Sequence, residues 1–137
     1  MRNKPFLLVI DTNIWISFLI TKKFSELDKF LFSGKCILLF SEELINEFIE
    51  VATRPKFRNY FSSEDIEKII ETMNEFGILI KVKSNINLCR DKKDNFLLSL
   101  CVDGNADFLI SGEDDLLTIQ KIEETSIITF RELLKIL

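Results

Sequence analysis

The chain has 137 residues, 47% of them hydrophobic and 29% charged, and a formal net charge of −4. That suits one folded domain, residues 1–137, with a real core, and excludes a disordered chain. With no histidine at all, Ser-His-Asp and Cys-His catalysis and HExxH zinc sites are excluded. No apolar run reaches the ~18 residues of a membrane helix, so no membrane partner is expected. Arg2 and Lys4 precede an apolar run that Asp11 cuts too early for a signal peptide, so a cytoplasmic location is expected. Cys36, Cys89 and Cys101 are odd in number and widely spaced, which predicts reduced, buried thiols rather than a zinc or redox motif. The basic footprint of a nucleic-acid binder is missing overall, so a local patch would have to serve.

In chain order, Phe6 to Ile10 is a continuous apolar run suited to a strand buried on both faces. Asp11 follows at its carboxyl end, where open α/β sheets bind ligands. It is equally suited to cap a helix, as are Thr12 and Asn13. Ile14 to Ile20 reads as a buried helix, and Ser25 as the cap of a short one stopped by Gly34. Cys36 to Phe40 is a second strand, and Ser41 caps the next helix. Leu44, Phe48 and Val51 form its apolar stripe, with Glu47 at the stripe's edge. Arg54-Pro55-Lys56-Phe57-Arg58 reads as a basic loop broken by proline.

Ser62 or Ser63 caps a helix that Gly77 ends, and Ile78 to Val82 is a third strand. Asp91 caps a helix from Lys92 to about Val102, ending at Gly104. Asp94 shares a stripe with Leu97, Leu98 and Cys101, and a carboxylate facing a core is costly unless paired or metal-bound. Phe108 to Ser111 is a fourth strand, followed at its carboxyl end by Glu113, Asp114 and Asp115. Ile127 and Ile128 form a last strand, and Thr129 with Glu132 makes a capping box for the final helix. Strand–helix alternation with short apolar strands predicts a central parallel sheet between helical layers, α/β/α.

Parallel strands put their carboxyl ends on one edge, so Asp11 and the Glu113–Asp115 cluster can converge there with the inward-facing Glu47 and Asp94. Carboxylates ~4 Å apart repel by about 4 kcal/mol at an effective dielectric near 20. With hard oxygen donors and no histidine, Mg²⁺ or Mn²⁺ are the natural guests. Such ions suit displacement at phosphorus.

These residues resemble the PIN-domain family. Asp11-Thr12-Asn13 looks like its opening signature, and Glu47 matches its second acid. Asp91-Lys92-Lys93-Asp94-Asn95 is similar to its D-x-x-D-N segment. Ser111 to Leu117 is similar to its T-G-D-x-D-L-L segment, with Glu113 standing where the family has aspartate. Arg54-Pro55-Lys56-Phe57 resembles a motif of the branch that supplies toxins of bacterial toxin–antitoxin systems. The resemblance implies a PIN-like three-layer fold and an endonuclease for single-stranded RNA using Mg²⁺ or Mn²⁺. It further implies a homodimer held inactive by a small antitoxin protein. Asp11, Glu47, Asp94 and Glu113 would be the catalytic, metal-holding acids, with Asp115 a further metal candidate, so the fourth ligand stays open between Glu113 and Asp115. Thr12, Asn13, Ser111, Arg54 and Lys56 would contact substrate. Two other readings are a PIN fold that binds RNA or protein without cutting, and a phosphorylated receiver-like signalling domain. The second wants an acceptor aspartate at the end of a middle strand, where this chain has Phe40-Ser41 or Val82-Lys83.

Overall fold

The computed structural model describes residues 4–137, so Arg2 lies outside the described residues. The apolar runs form the strands β1 (Phe6–Ile10), β2 (Cys36–Phe40), β3 (Gly77–Leu79) and β4 (Phe108–Ile110). Beside them lie β5 (Lys121–Ile122) and β6 (Thr125–Ile128), giving one sheet of order β3-β2-β1-β4-β6-β5. All pairings are parallel except β5 with β6. Leu8, Val9 and Ile10 are buried to 1% exposure or less, as the unbroken apolar run requires of a central strand.

The helices are α1 (Thr12–Thr21), α2 (Ser25–Phe32), α3 (Glu42–Ala52), α4 (Ser63–Phe76), α5 (Asn95–Gly104), α6 (Asp114–Leu117) and α7 (Phe130–Ile136). α1 packs on α3 and α4, while α5 packs on β1, β2 and β4. The chain steps from β1 through β2 to β3 in one direction and then crosses back to β4 on the other side of β1. Right-handed crossovers therefore put α1, α3 and α4 on one face and α5 on the other. The result is the expected α/β/α layering. No helix of the described residues is long and apolar enough to cross a membrane.

Several local expectations hold. The Ser41 side chain accepts the Leu44 N–H. Ser62 and Asp65 form a capping box, as do Thr129 and Glu132. Gly34 sits at φ 80 and closes α2, its N–H reaching the Leu31 carbonyl while Lys35 N–H reaches that of Phe30. The three cysteines are free and buried.

Other local expectations need correction. Phe24, not Ser25, is the residue before α2; its ring lies 6.0 Å from those of Trp15 and Phe18, so packing sets that start. Gly77 ends α4 as expected but already opens β3, one residue before Ile78, in extended backbone; a Cβ there would meet the Met73 carbonyl oxygen at 2.4 Å, so glycine is needed for close approach. β3 stops at Leu79 rather than Val82: Ile80 N–H still reaches the Phe40 carbonyl of β2 at 2.8 Å, and from Lys83 onward backbone donors turn to side chains of α5. Residues Pro55–Phe57 make one 3₁₀ turn rather than an open loop, and Lys92–Asp94 make another before α5 begins at Asn95. The last strand is half of a hairpin, with Gln120 and Glu123 at positive φ.

Candidate functional site

β1 has β2 on one side and β4 on the other, and the chain's direction of travel reverses there. Crevices at such switch points, outside the carboxyl ends of the strands, are where open α/β sheets bind ligands. The register sets Ile10 opposite Ile110, so the next residues, Asp11 and Ser111, leave the sheet side by side. Ser111 is fully buried and its hydroxyl donates to Asp11 Oδ2 at 2.8 Å. The same hydroxyl oxygen accepts the Glu113 N–H at 3.0 Å, which ties the loop after β4 to the acid after β1.

α1 begins at once after Asp11, and its first two side chains reach two further acids. The Thr12 hydroxyl donates to Glu47 Oε2 at 2.5 Å, drawing the half-buried Glu47 of α3 toward the crevice. The Asn13 amide donates to Glu113 Oε1 at 2.5 Å. Asp11 is the residue before α1, and the bond that holds its carboxylate comes from Ser111 across the sheet.

Asp94 comes from the opposite layer. The Asp91 side chain accepts the Lys93 N–H and so takes the local capping role. Asp94 makes no side-chain capping bond. It stands half-buried at the head of α5.

Electrostatics links the four acids. Burial, then the charges of Glu113 and Glu47, push the Asp11 carboxyl up to about 6, against the Ser111 hydroxyl and the Asn13 backbone N–H. Burial, then the charges of Asp11, Asp91, Glu113 and Glu47, push Asp94 up to about 7. No Lys or Arg forms an ion pair with any of the four among the described residues. Asp115 lies in the first turn of α6, and its charge acts with those of Asp94 and Asp91 on the Cys89 thiol. As the side chains stand, no three carboxylates among the described residues converge on one point.

The PIN domain family model matches residues 7–115. The chain belongs to the PIN domain family. It is 29% identical over 116 residues to the uncharacterized protein MJ1680 of Methanocaldococcus jannaschii, covering 82% of this chain and 74% of that protein. Its fold is similar to that of the PIN domain endonuclease Utp24, with TM-score 0.55 and 16% identity over 90% of this chain and 84% of the other.

In this PIN domain, hydrogen bonds link Thr12 with Glu47, Asn13 with Glu113, and Ser111 with both Asp11 and Glu113 around the switch point, and Asp94 is coupled to Asp11, Glu113 and Glu47 by charge. Arg54 and Lys56 do not join them. Arg54 is exposed and paired with Glu50 at 3.0 Å, and Lys56 lies over the Phe57 ring at 5.1 Å. Arg54 lies beyond the end of α3, which closes at Ala52.

One contributor escaped the sequence reading. Asn95 is 8% exposed, and its Oδ1 accepts the Cys89 N–H at 2.8 Å, closing the turn that carries Asp91 and Asp94. Its place directly after Asp94 in an Asp-Asn pair was the available signal.

Proposed function

We propose that this PIN domain is a metal-dependent endoribonuclease for single-stranded RNA. The observation that carries the reading is the mutual charge coupling of Asp11, Glu47, Asp94 and Glu113, from separate elements, with no ion pair to a cationic side chain among the described residues. Raising a carboxyl to about 7, by burial first and by neighbouring carboxylates second, is a destabilising arrangement that a structural role does not explain.

The donor set fits Mg²⁺ or Mn²⁺: hard carboxylate oxygens, no histidine, and thiols that are buried. Asp11, Glu47, Asp94 and Glu113 would hold the ion. When bound, it supplies the Lewis acidity that activates water and offsets charge at phosphorus. The chain's own residues prepare the site. Ser111 orients Asp11, Thr12 holds Glu47, and Asn13 holds Glu113. Each of these neutral donors holds one acid, and the rotatable Glu47 and Glu113 side chains can swing inward once a counter-charge arrives. Asn13 is exposed and can touch a substrate as well, whereas the buried Thr12 and Ser111 act through the acids they hold.

The test is cleavage of labelled RNA and DNA strands. RNA should be cut with Mn²⁺ or Mg²⁺, and cutting should stop in EDTA. Undiminished cutting in chelator overturns the mechanism.

We extend the reading to a cytoplasmic homodimeric toxin restrained by a small antitoxin protein, on the likeness of Arg54-Pro55-Lys56-Phe57 to that branch. Induced expression should then arrest growth, and Asp11→Asn should relieve the arrest. Normal growth with an active nuclease removes the toxin role and leaves the chemistry.

A further inference from the structure

The crevice is rich in carboxylates, so a polyanion needs cations nearby to approach it. Arg90, Lys92 and Lys93 stand beside it and are unaccounted for. All are exposed, and none forms an ion pair among the described residues. Every charge acting strongly on the neighbouring Asp94 is a carboxylate, so these cations do not serve to neutralise it.

Their position is also unfavourable in itself. Lys92 and Lys93 lie in the turn just before α5, near the helix's positive end, where cations are disfavoured. Yet the turn is held firmly. Asn95 Oδ1 accepts the Cys89 N–H at 2.8 Å on one side of Arg90. On the other side, Asp91 takes the Lys93 N–H on its carboxylate at 3.1 Å and the Asp94 N–H on its carbonyl at 3.0 Å. Uncompensated cations on a braced turn next to an acidic crevice are costly to the fold and useful to a phosphate chain.

Resting on the nuclease reading, we propose that Arg90, Lys92 and Lys93 hold the backbone phosphates of the single-stranded substrate beside the carboxylates. This assigns the electrostatic contact to the turn before α5 rather than to Arg54 and Lys56. Contacts of this kind set how steeply binding weakens with salt, each adding about 0.7 to the logarithmic slope for a single strand.

The experiment measures binding of a fluorescently labelled oligouridylate to the Asp11→Asn protein in EDTA, by anisotropy between about 50 and 200 mM salt. Replacing Arg90, Lys92 and Lys93 together by Gln should flatten the slope by about 2. Melting should stay unchanged or rise, since the helix loses unfavourable charges. Lys92→Arg with Lys93→Arg should keep the original slope, whereas Arg54→Gln with Lys56→Gln should leave it where it was. An unchanged slope in the triple variant overturns the proposal. So does a flattened slope in the charge-preserving variant, which would trace the effect to the shape of the turn. A parent protein that neither binds nor cuts RNA defeats the nuclease reading itself. RNA binding with an unaltered slope in the triple variant defeats only this assignment.

Discussion

Asp11 is 3% exposed, and its carboxyl titrates near 6 because burial and neighbouring carboxylates disfavour its charge. Replacing it by Asn keeps the shape and still offers Ser111 an oxygen to donate to. Asp11→Asn should therefore melt higher than the parent in EDTA near pH 8. It should lose cleavage by at least the ~10–100-fold that even an outer partner of a metal site costs. Normal cleavage would return Asp11 to a purely local role. Glu113 and Asp115 separate on similar grounds. Glu113's charge acts on both Asp11 and Asp94, whereas that of Asp115 acts on Cys89. Glu113→Ala should lower cleavage at saturating Mn²⁺ more than Asp115→Ala does. The opposite ranking in a turnover assay would move the fourth ligand to Asp115.

Among the elements, α5 does more than cover the sheet. Asn95, Ser99 and Asp103 are spaced by four and so share one face. Each accepts backbone N–H groups from the chain that leaves β3. Asp103 takes those of Lys83 and Ser84 together with the Ser84 hydroxyl, Ser99 takes that of Ile86 at 3.0 Å, and Asn95 takes that of Cys89. The Ser84 hydroxyl and these backbone donors hold the Asp103 carboxyl below its ordinary range. This ladder runs antiparallel to α5 and delivers the turn carrying Asp91 and Asp94 to the crevice. Asn95→Ala leaves the buried Cys89 N–H without its partner, a loss of about 1–3 kcal/mol. Urea denaturation should show that loss, and hydrogen exchange at the Cys89 amide should quicken. Asn95→Asp keeps the acceptor and should slow the exchange again. Equal protection in Asn95→Ala would mean that the turn is held by other contacts.

For the whole molecule, the fold concentrates its electrostatic cost in one crevice. Asp11 rises from 3.8 to about 6 and Asp94 from 3.8 to about 7. Both bind protons more tightly folded than unfolded. Their stabilising contribution is therefore complete below about pH 4 and is lost as pH rises through about 6 to 7. For the buried Asp11 the loss is about 3 kcal/mol, while solvent screening reduces the share of the half-buried Asp94. Asp65 and Asp103 are held low, so their contribution is lost only under more acidic conditions and does not overlap this window. In EDTA, the melting temperature should fall between about pH 4 and pH 7. Mn²⁺ should raise it more at about pH 7.5 than at pH 5, since only ionised carboxylates hold the ion. A flat profile in EDTA would mean that the two carboxyls do not share this charge.

The sequence by itself determined what depends on neighbours a few residues apart. Apolar runs marked the strands β1, β2 and β4. The serines at 41 and 62 marked helix starts, and the pattern of α3 put Glu47 at the edge of its buried stripe. Residue chemistry also excluded histidine-based catalysis without any fold. Tertiary structure decided which groups meet. Ser111 bonds Asp11 across 100 residues, and only the Ile10–Ile110 register makes them neighbours. It decided that β3 ends early, with the backbone donors from Lys83 onward held by α5, up to 20 residues further along the chain. It decided the β5–β6 hairpin, whose turn residues Glu123 and Glu124 lack the glycine signal that would have announced it. Periodicity and capping are written within one turn of helix or one strand. Hydrogen-bond partners and shared charge across layers are set by packing, which local pattern does not encode.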